Sequence, residues 1–166
     1  MIDTRTMTDS HLLPCPDHST ALPMIGWREW LSLPDLGIKF VKAKIDTGAR
    51  SSSLHAFDIQ LNERNGSPWV SFKVNPVQRK QARVIEASVP VFDTREIRSS
   101  SGESQLRPVI RTPIILLGQR FEIELTLADR SQMGFRMLLG REAFRRRFLI
   151  DPGQSYLGGI PKRKKS

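Results

Sequence analysis

The residues best able to do chemistry lie in one short stretch, Asp46-Thr47-Gly48-Ala49. It follows the largely alternating run Ile38 to Ile45, so the aspartate is expected where a strand gives way to a tight turn. A carboxylate fixed at such a point can act as a general base and take a proton from water. Asp and Gly also simply make turns, so the triplet needs its context. That context is Met137-Leu138-Leu139, a buried apolar run leading into Gly140-Arg141, about ninety residues downstream.

Competing chemistries find less support. Glu122 and Glu124 are a carboxylate pair, but strict alternation over Phe121 to Leu127 puts both on one wet strand face. His55, alone after the Asp-Thr-Gly segment, reads as structural. The soft metal ligands are Cys15, His11, His18 and His55, and no His-Glu-x-x-His helix occurs. Nor does the chain contain Gly-x-x-x-x-Gly-Lys-Ser/Thr, the loop that cradles nucleotide phosphates. Neither a metal nor any other cofactor is expected.

Charge points to the partner. The 166 residues carry a formal +9, and +7 of it falls within residues 24–160, with a cluster at Arg141 and Arg145-Arg146-Arg147. Lys162-Arg163-Lys164-Lys165 adds a basic tail. Such a face attracts an acidic peptide, a ribosome or RNA, although it could equally be a solvated surface. The three Trp and one Tyr are scattered in the sequence, which argues against a base-stacking platform. No apolar run approaches the roughly 18 residues of a membrane helix, and residues 1–23 lack an apolar leader core. A single cysteine fits a reducing compartment, so the expectation is a cytoplasmic protein with no membrane partner.

Several elements must position the aspartate. Residues 1–23 are expected to be a flexible lead, 24–160 one domain and 161–166 a basic tail. Strands are expected over Ile38 to Ile45, with a bulge at Phe40-Val41, and over Trp69 to Val74. A weaker strand, Ser88 to Phe92, is confined to an edge by Pro90. Phe121 to Leu127 and Met137 to Leu139 follow, then a helix over Arg141 to Phe148 that turns Phe144 and Phe148 inward. Ser155 to Leu157 is expected as a last strand. The polar stretch Arg98 to Ser104 suits the tip of a hairpin. The fold class is all-β, a closed barrel with one short C-terminal helix.

The Asp-Thr-Gly-Ala turn, with the apolar-apolar-Gly-Arg segment before a helix, resembles the retropepsin-like aspartic proteases. More closely, Lys44 to Ala56 (KIDTGARSSSLHA), Leu127 to Met133 (LADRSQM) and Met137 to Phe144 (MLLGREAF) are similar to the bacterial RimB-type family, often labelled an ATP-dependent zinc protease. The resemblance spans roughly residues 24–160, and the ligand count supports neither zinc nor ATP.

It implies that Asp46, Thr47 and Gly48 form the catalytic turn of a peptidase. Two aspartates would share one proton and hold the attacking water. Only one Asp-Thr-Gly occurs, and neither Asp129 nor Asp151 is followed by a matching glycine turn. The expected enzyme is therefore a homodimer with Asp46 from each copy on a two-fold axis. Thr47 would bond across that axis, Gly48 would allow close approach, and Ala49 would keep the pocket wall small. The flap is expected over Thr94 to Val109, with Arg98, Ser101 and Arg107 reaching substrate together with Arg50, Leu139, Gly140 and Arg141. Arg50 stands where retroviral enzymes carry acidic residues, so Arg141 needs another partner: Asp151, Asp129 or a substrate carboxylate. The implied substrate is an acidic, glutamate-rich peptide or the tail of a ribosomal protein. The alternative is a non-catalytic barrel that binds ribosome or RNA through its basic face.

Overall fold

The computed structural model describes residues 21–77, 84–98, 104–129 and 134–162. The strands, in chain order, are β1 (Met24–Gly26), β2 (Arg28–Leu33), β3 (Ile38–Asp46), β4 (Ser52–His55), β5 (Phe57–Arg64) and β6 (Ser67–Val74). They continue with β7 (Ile85–Pro90), β8 (Asp93–Arg98), β9 (Ser104–Leu116), β10 (Gln119–Ala128), β11 (Met137–Gly140) and β12 (Leu149–Asp151). Among the described residues there is one α-helix, α1 (Arg141–Phe144).

Six strands close on themselves in the order β10-β4-β11-β3-β2-β9, because β9 also pairs with β10. Closure leaves no exposed edge within the ring. Alternation fills it: Leu31 and Leu33 of β2, Val41, Ala43 and Ile45 of β3, and Phe121, Ile123, Leu125 and Leu127 of β10 all point inward and are buried. The Leu117-Gly118 hairpin, with both φ values positive, carries β9 into β10. This is the turn whose twist matches two antiparallel strands.

Outside the ring, β8 pairs with the first half of β9, from Asp93 opposite Val109 to Arg98 opposite Ser104. These are the arms of the expected flap; its tip lies outside the described residues. A second sheet, β5-β6-β7, packs beside the barrel with β7 at one edge, as Pro90 requires. Met24, Ile25 and Gly26 pair in parallel with Leu149, Ile150 and Asp151.

The bulge in β3 is present. Leu31 pairs with Val41 and Leu33 with Ile38, so β3 carries an extra residue there and Lys39 and Phe40 are both exposed.

Two expectations fail at the C-terminal end. The helix spans Arg141–Phe144 only, because Arg145 is extended and Arg146 takes φ 62°. That left-handed turn still brings Phe148 into the core, where its ring lies 6.0 Å from that of Phe121. Residues 155–157 are not a strand either. Tyr156 has φ 59°, and the segment is pinned by Glu29 instead. That fully buried carboxylate accepts the N–H groups of Gly26 at 2.7 Å, Leu157 at 2.9 Å and Gly158 at 3.2 Å.

Candidate active site

Strand β3 delivers Asp46 to the barrel's end, half-buried, while Ile45 donates its N–H to the Trp27 carbonyl at 2.8 Å. One carboxylate oxygen, Oδ1, accepts the N–H groups of Gly48 and Ala49, both at 3.1 Å. The aspartate thus shapes the turn that follows it. Its other oxygen makes no hydrogen bond among the described residues.

The turn is clasped from behind by β11 and α1. Leu139 pairs with Ile45 and Gly140 with Asp46 in parallel register. Gly140 donates its N–H to Ser52 Oγ at 3.1 Å, Arg141 to the Ala49 carbonyl at 2.9 Å and Glu142 to the Arg50 carbonyl at 3.2 Å. The Arg141 side chain adds a bond from Nη1 to the Gly48 carbonyl at 3.1 Å. Gly140 has no alternative: a Cβ there would stand 2.5 Å from the Ser51 carbonyl carbon and oxygen and 2.7 Å from the Arg50 oxygen. Gly48 differs, since its Cβ would meet only Asp46 Oδ1, at 3.4 Å.

The structure sorts the residues named from sequence. Asp46 to Arg50 and Gly140 to Arg141 come together in one clasp. Thr47 and Arg50 are exposed, and Arg50 reaches Glu142 loosely at 3.9 Å. Leu139 and Gly140 are buried beneath the turn, so they support it rather than offer surface. Arg141 finds neither Asp151 nor Asp129 but a backbone carbonyl, because the clasp brings Gly48 to it. Asp129 instead lies 3.7 Å from His55, and Asp151 Oδ1 accepts the Gly153 N–H at 2.8 Å. On the flap arms Arg107 sits opposite Arg95 and donates to Gln105 at 3.3 Å; Arg98 ends β8, and Ser101 lies outside the described residues. His55 is buried, and burial together with nearby Arg136 lowers its pKa, with Asp129 opposing.

An open groove beside the clasp is lined by Arg50, Arg95, Arg111, Glu122, Glu124 and Glu142. Its charges are mostly spent on each other. Arg95 bonds Glu124 at 2.6 Å and Asp93 at 2.8 Å, and Arg111 approaches Glu124 at 3.4 Å. The Arg95 guanidinium holds the Glu124 carboxyl below its ordinary range. Among the described residues no three His, Cys, Asp or Glu side chains gather to hold a metal.

Sequence reasoning missed two features. Ser52 hides in a run of three serines, and only the fold shows its hydroxyl receiving the Gly140 N–H. The aromatic residues, scattered in sequence, partly converge: the rings of Trp27 and Phe135 lie 5.9 Å apart, and those of Trp30 and Tyr156 lie 6.2 Å apart.

The closed barrel and the clasped Asp-Thr-Gly turn can now be set beside known families. A model described as "Retropepsin-like aspartic endopeptidase RimB" matches residues 24–160. The chain belongs to the RimB-like family. Among curated relatives of this RimB-like chain, a protein of Desulfotalea psychrophila named "Probable alpha-L-glutamate ligase" is 50% identical over 143 residues, 86% of this chain and 31% of that protein. One of Shewanella pealeana with the same name is 46% identical over 136 residues, 82% of this chain and 30% of that protein. The RimB-like chain therefore spans under a third of the length of these two relatives. The crystal structure of Lpg0085, a Legionella pneumophila protein of unknown function, has a TM-score of 0.69 at 27% identity, covering 82% of this chain and 98% of that one. Among the described residues no helix is long and apolar enough to cross a membrane.

Proposed function

We propose that the chain is an aspartic peptidase, active as a homodimer, that hydrolyses peptide bonds in glutamate-rich segments. The observation that carries this reading is the Asp46-Thr47-Gly48 turn, clasped from behind by Gly140, Arg141 and Glu142 and open in front. Asp46 from each of two copies would face the other across a two-fold axis. Two carboxylates about 3 Å apart share one proton, as in the aspartic proteases generally. The ionised one takes a proton from water, and the resulting hydroxide attacks the scissile carbonyl, which the protonated one polarises. Collapse of the tetrahedral adduct sends a proton to the leaving amine. Asp129 and Asp151 are poorly placed as in-chain substitutes, since one neighbours His55 and the other caps its own turn.

Two observations support an acidic substrate. The domain is strongly cationic, and its long curated relatives carry the name of a ligase for glutamate. A hydrolase acting on glutamate-bearing tails, including those of ribosomal proteins, is the reading that unites them.

The test compares wild type with Asp46→Asn on peptides with and without glutamate runs, from pH 4 to 8, with and without a chelator. Asn can still accept the Gly48 and Ala49 N–H groups, so the fold should persist. Cleavage that disappears in Asp46→Asn and ignores the chelator is the expected result. Equal cleavage by both proteins, or none by wild type at any pH, would sink the proposal.

A further inference from the structure

The outer face of β2 and β3 carries a second assembly. Register sets Arg28 opposite Lys44 and Trp30 opposite Lys42. Their strand neighbours Glu29, Leu31, Ala43 and Ile45 are buried, so these four share the outward side. Asp46 continues the Lys42–Lys44 row, two residues and about 7 Å beyond Lys44.

Aromatic rings hold two of the cations, Arg28 and Lys42, in place. The Arg28 guanidinium lies 4.5 Å from the Trp27 ring centroid and 4.9 Å from that of Tyr156, and its Nε donates to Ser155 Oγ at 3.1 Å. Lys42 Nζ stands 5.5 Å from the Phe135 ring. A guanidinium fixed between two rings loses little freedom when it binds a carboxylate.

Among the described residues none of Arg28, Lys42 and Lys44 makes an ion pair. Arginines around the groove beside the clasp do: Arg95 and Arg111 pair with Glu124, and Arg50 and Arg145 with Glu142. Three cations that no described carboxylate neutralises, on the strand that ends at Asp46 and on its neighbour, present a site for an anion.

We propose that this cation–aromatic track docks the glutamate-rich segment of the substrate next to the bond presented to Asp46. The inference rests on the peptidase reading for its direction and adds the residues that select the substrate. An extended peptide repeats a side chain on one face every ~7 Å, the same interval that separates the Arg28–Lys44 and Trp30–Lys42 rungs. Alternate glutamates can therefore meet successive rungs. Single-stranded RNA fits less well. Arg28 lies over rings of Trp27 and Tyr156, Lys42 stands near that of Phe135, and Trp30 stacks on Tyr156. These ring faces are occupied from within, leaving bases little platform.

The experiment measures fluorescence anisotropy of a labelled hexaglutamate-containing peptide, its hexaglutamine counterpart and a single-stranded RNA of matched charge. The full chain carries Asp46→Asn, so nothing is cut during the measurement. Adding Lys42→Gln and Lys44→Gln should weaken the glutamate peptide roughly tenfold, as expected for two surface charge contacts, and leave the glutamine peptide unchanged. Lys42→Arg with Lys44→Arg should retain binding, and thermal melts should match throughout. An unchanged affinity for the glutamate peptide would overturn the track, as would equal losses for both peptides. So would RNA bound more tightly than peptide and lost in the same variant. Intact track binding beside a failed cleavage test would sink the peptidase reading alone; the reverse would sink the track alone.

Discussion

Two glycines frame the same turn, and their replacement by alanine should have opposite consequences. At Gly140 the new methyl would sit 2.5 Å from the Ser51 carbonyl carbon and oxygen and 2.7 Å from the Arg50 oxygen, all main chain. Restoring ordinary contact requires the 50–51 backbone to retreat by about 1 Å. Such overpacking costs about 1–3 kcal/mol. The retreat also stretches the bonds from Arg141 to Ala49 and from Glu142 to Arg50, now 2.9 and 3.2 Å. Each is worth about 0.5–1.5 kcal/mol. A total near 3 kcal/mol should lower Tm by roughly 6–12 °C for a domain of this size. Where the fold survives, a shift of about 1 Å beside Asp46 should reduce kcat/KM on the order of a hundredfold. At Gly48 the methyl would meet only Asp46 Oδ1, at 3.4 Å, and φ is not positive there. Gly48→Ala should therefore melt within about 1 °C of wild type, yet lose activity if substrate or a second copy packs against that face. Calorimetry and peptide cleavage on both variants decide the matter. A Gly140→Ala protein with wild-type Tm, or a Gly48→Ala protein that unfolds, would refute the reasoning.

Other predictions follow from single contacts. Glu29→Ala strands three backbone N–H groups around a buried site and should cost about 3–5 kcal/mol, read as a lower urea midpoint at unchanged m. Arg141→Ala removes the bond to the Gly48 carbonyl; with an exposed side chain the stability loss should stay near 1 kcal/mol or less, while kcat/KM drops roughly tenfold. His55 has its pKa lowered in the fold, so the unfolded chain binds the extra proton more readily. Stability is therefore fully present above the unfolded value of about 6.5 and is lost as pH falls through the lower folded value. In His55→Gln that part of the acid destabilisation should vanish from a series of melts between pH 4 and 8.

How much of this was legible in the sequence depends on where each instruction resides. Strand β10 alternates strictly, so its face and burial could be read from residue types alone. The bulge in β3 showed as a slip in the same alternation. Strand β4, Ser52–His55, could not be read this way. It is enclosed between β10 and β11, and its first serine exists to meet the Gly140 N–H, a partner 88 residues away. Strand β5 is mostly exposed and polar, so its hydrophobic pattern is weak; the Asn65-Gly66 turn, with both φ values positive, is its clearest local signal. The two C-terminal departures have separate causes, and residues 155–157 follow Glu29, whose carboxylate holds the Leu157 and Gly158 N–H groups. Apolar residues at i and i+4 predict a helix, but Phe144 and Phe148 reach the core around a left-handed residue, Arg146. For Arg141 charge suggests Asp151, Asp129 or a substrate carboxylate, whereas within the fold proximity supplies the Gly48 carbonyl.

The turn at Asp46 is asymmetric in a way that bears on the proposed second carboxylate. Among the described residues, what fixes it comes from behind or from within the turn: the Ser52 hydroxyl, the N–H groups of Arg141 and Glu142, the Arg141 guanidinium, and the Gly48 and Ala49 N–H groups that hold Asp46 Oδ1. What remains uncommitted among the described residues faces the other way: the second oxygen of Asp46, the exposed hydroxyl of Thr47, and a glycine whose missing side chain the protomer itself does not require. A loop this firmly backed gains nothing in stability from an open glycine and a free threonine hydroxyl. Both become useful when another surface approaches closely and bonds to them. The same turn from a second copy would bring its own Asp46, Thr47 and Gly48, which is the least elaborate way to complete a carboxylate pair from a chain with one Asp-Thr-Gly.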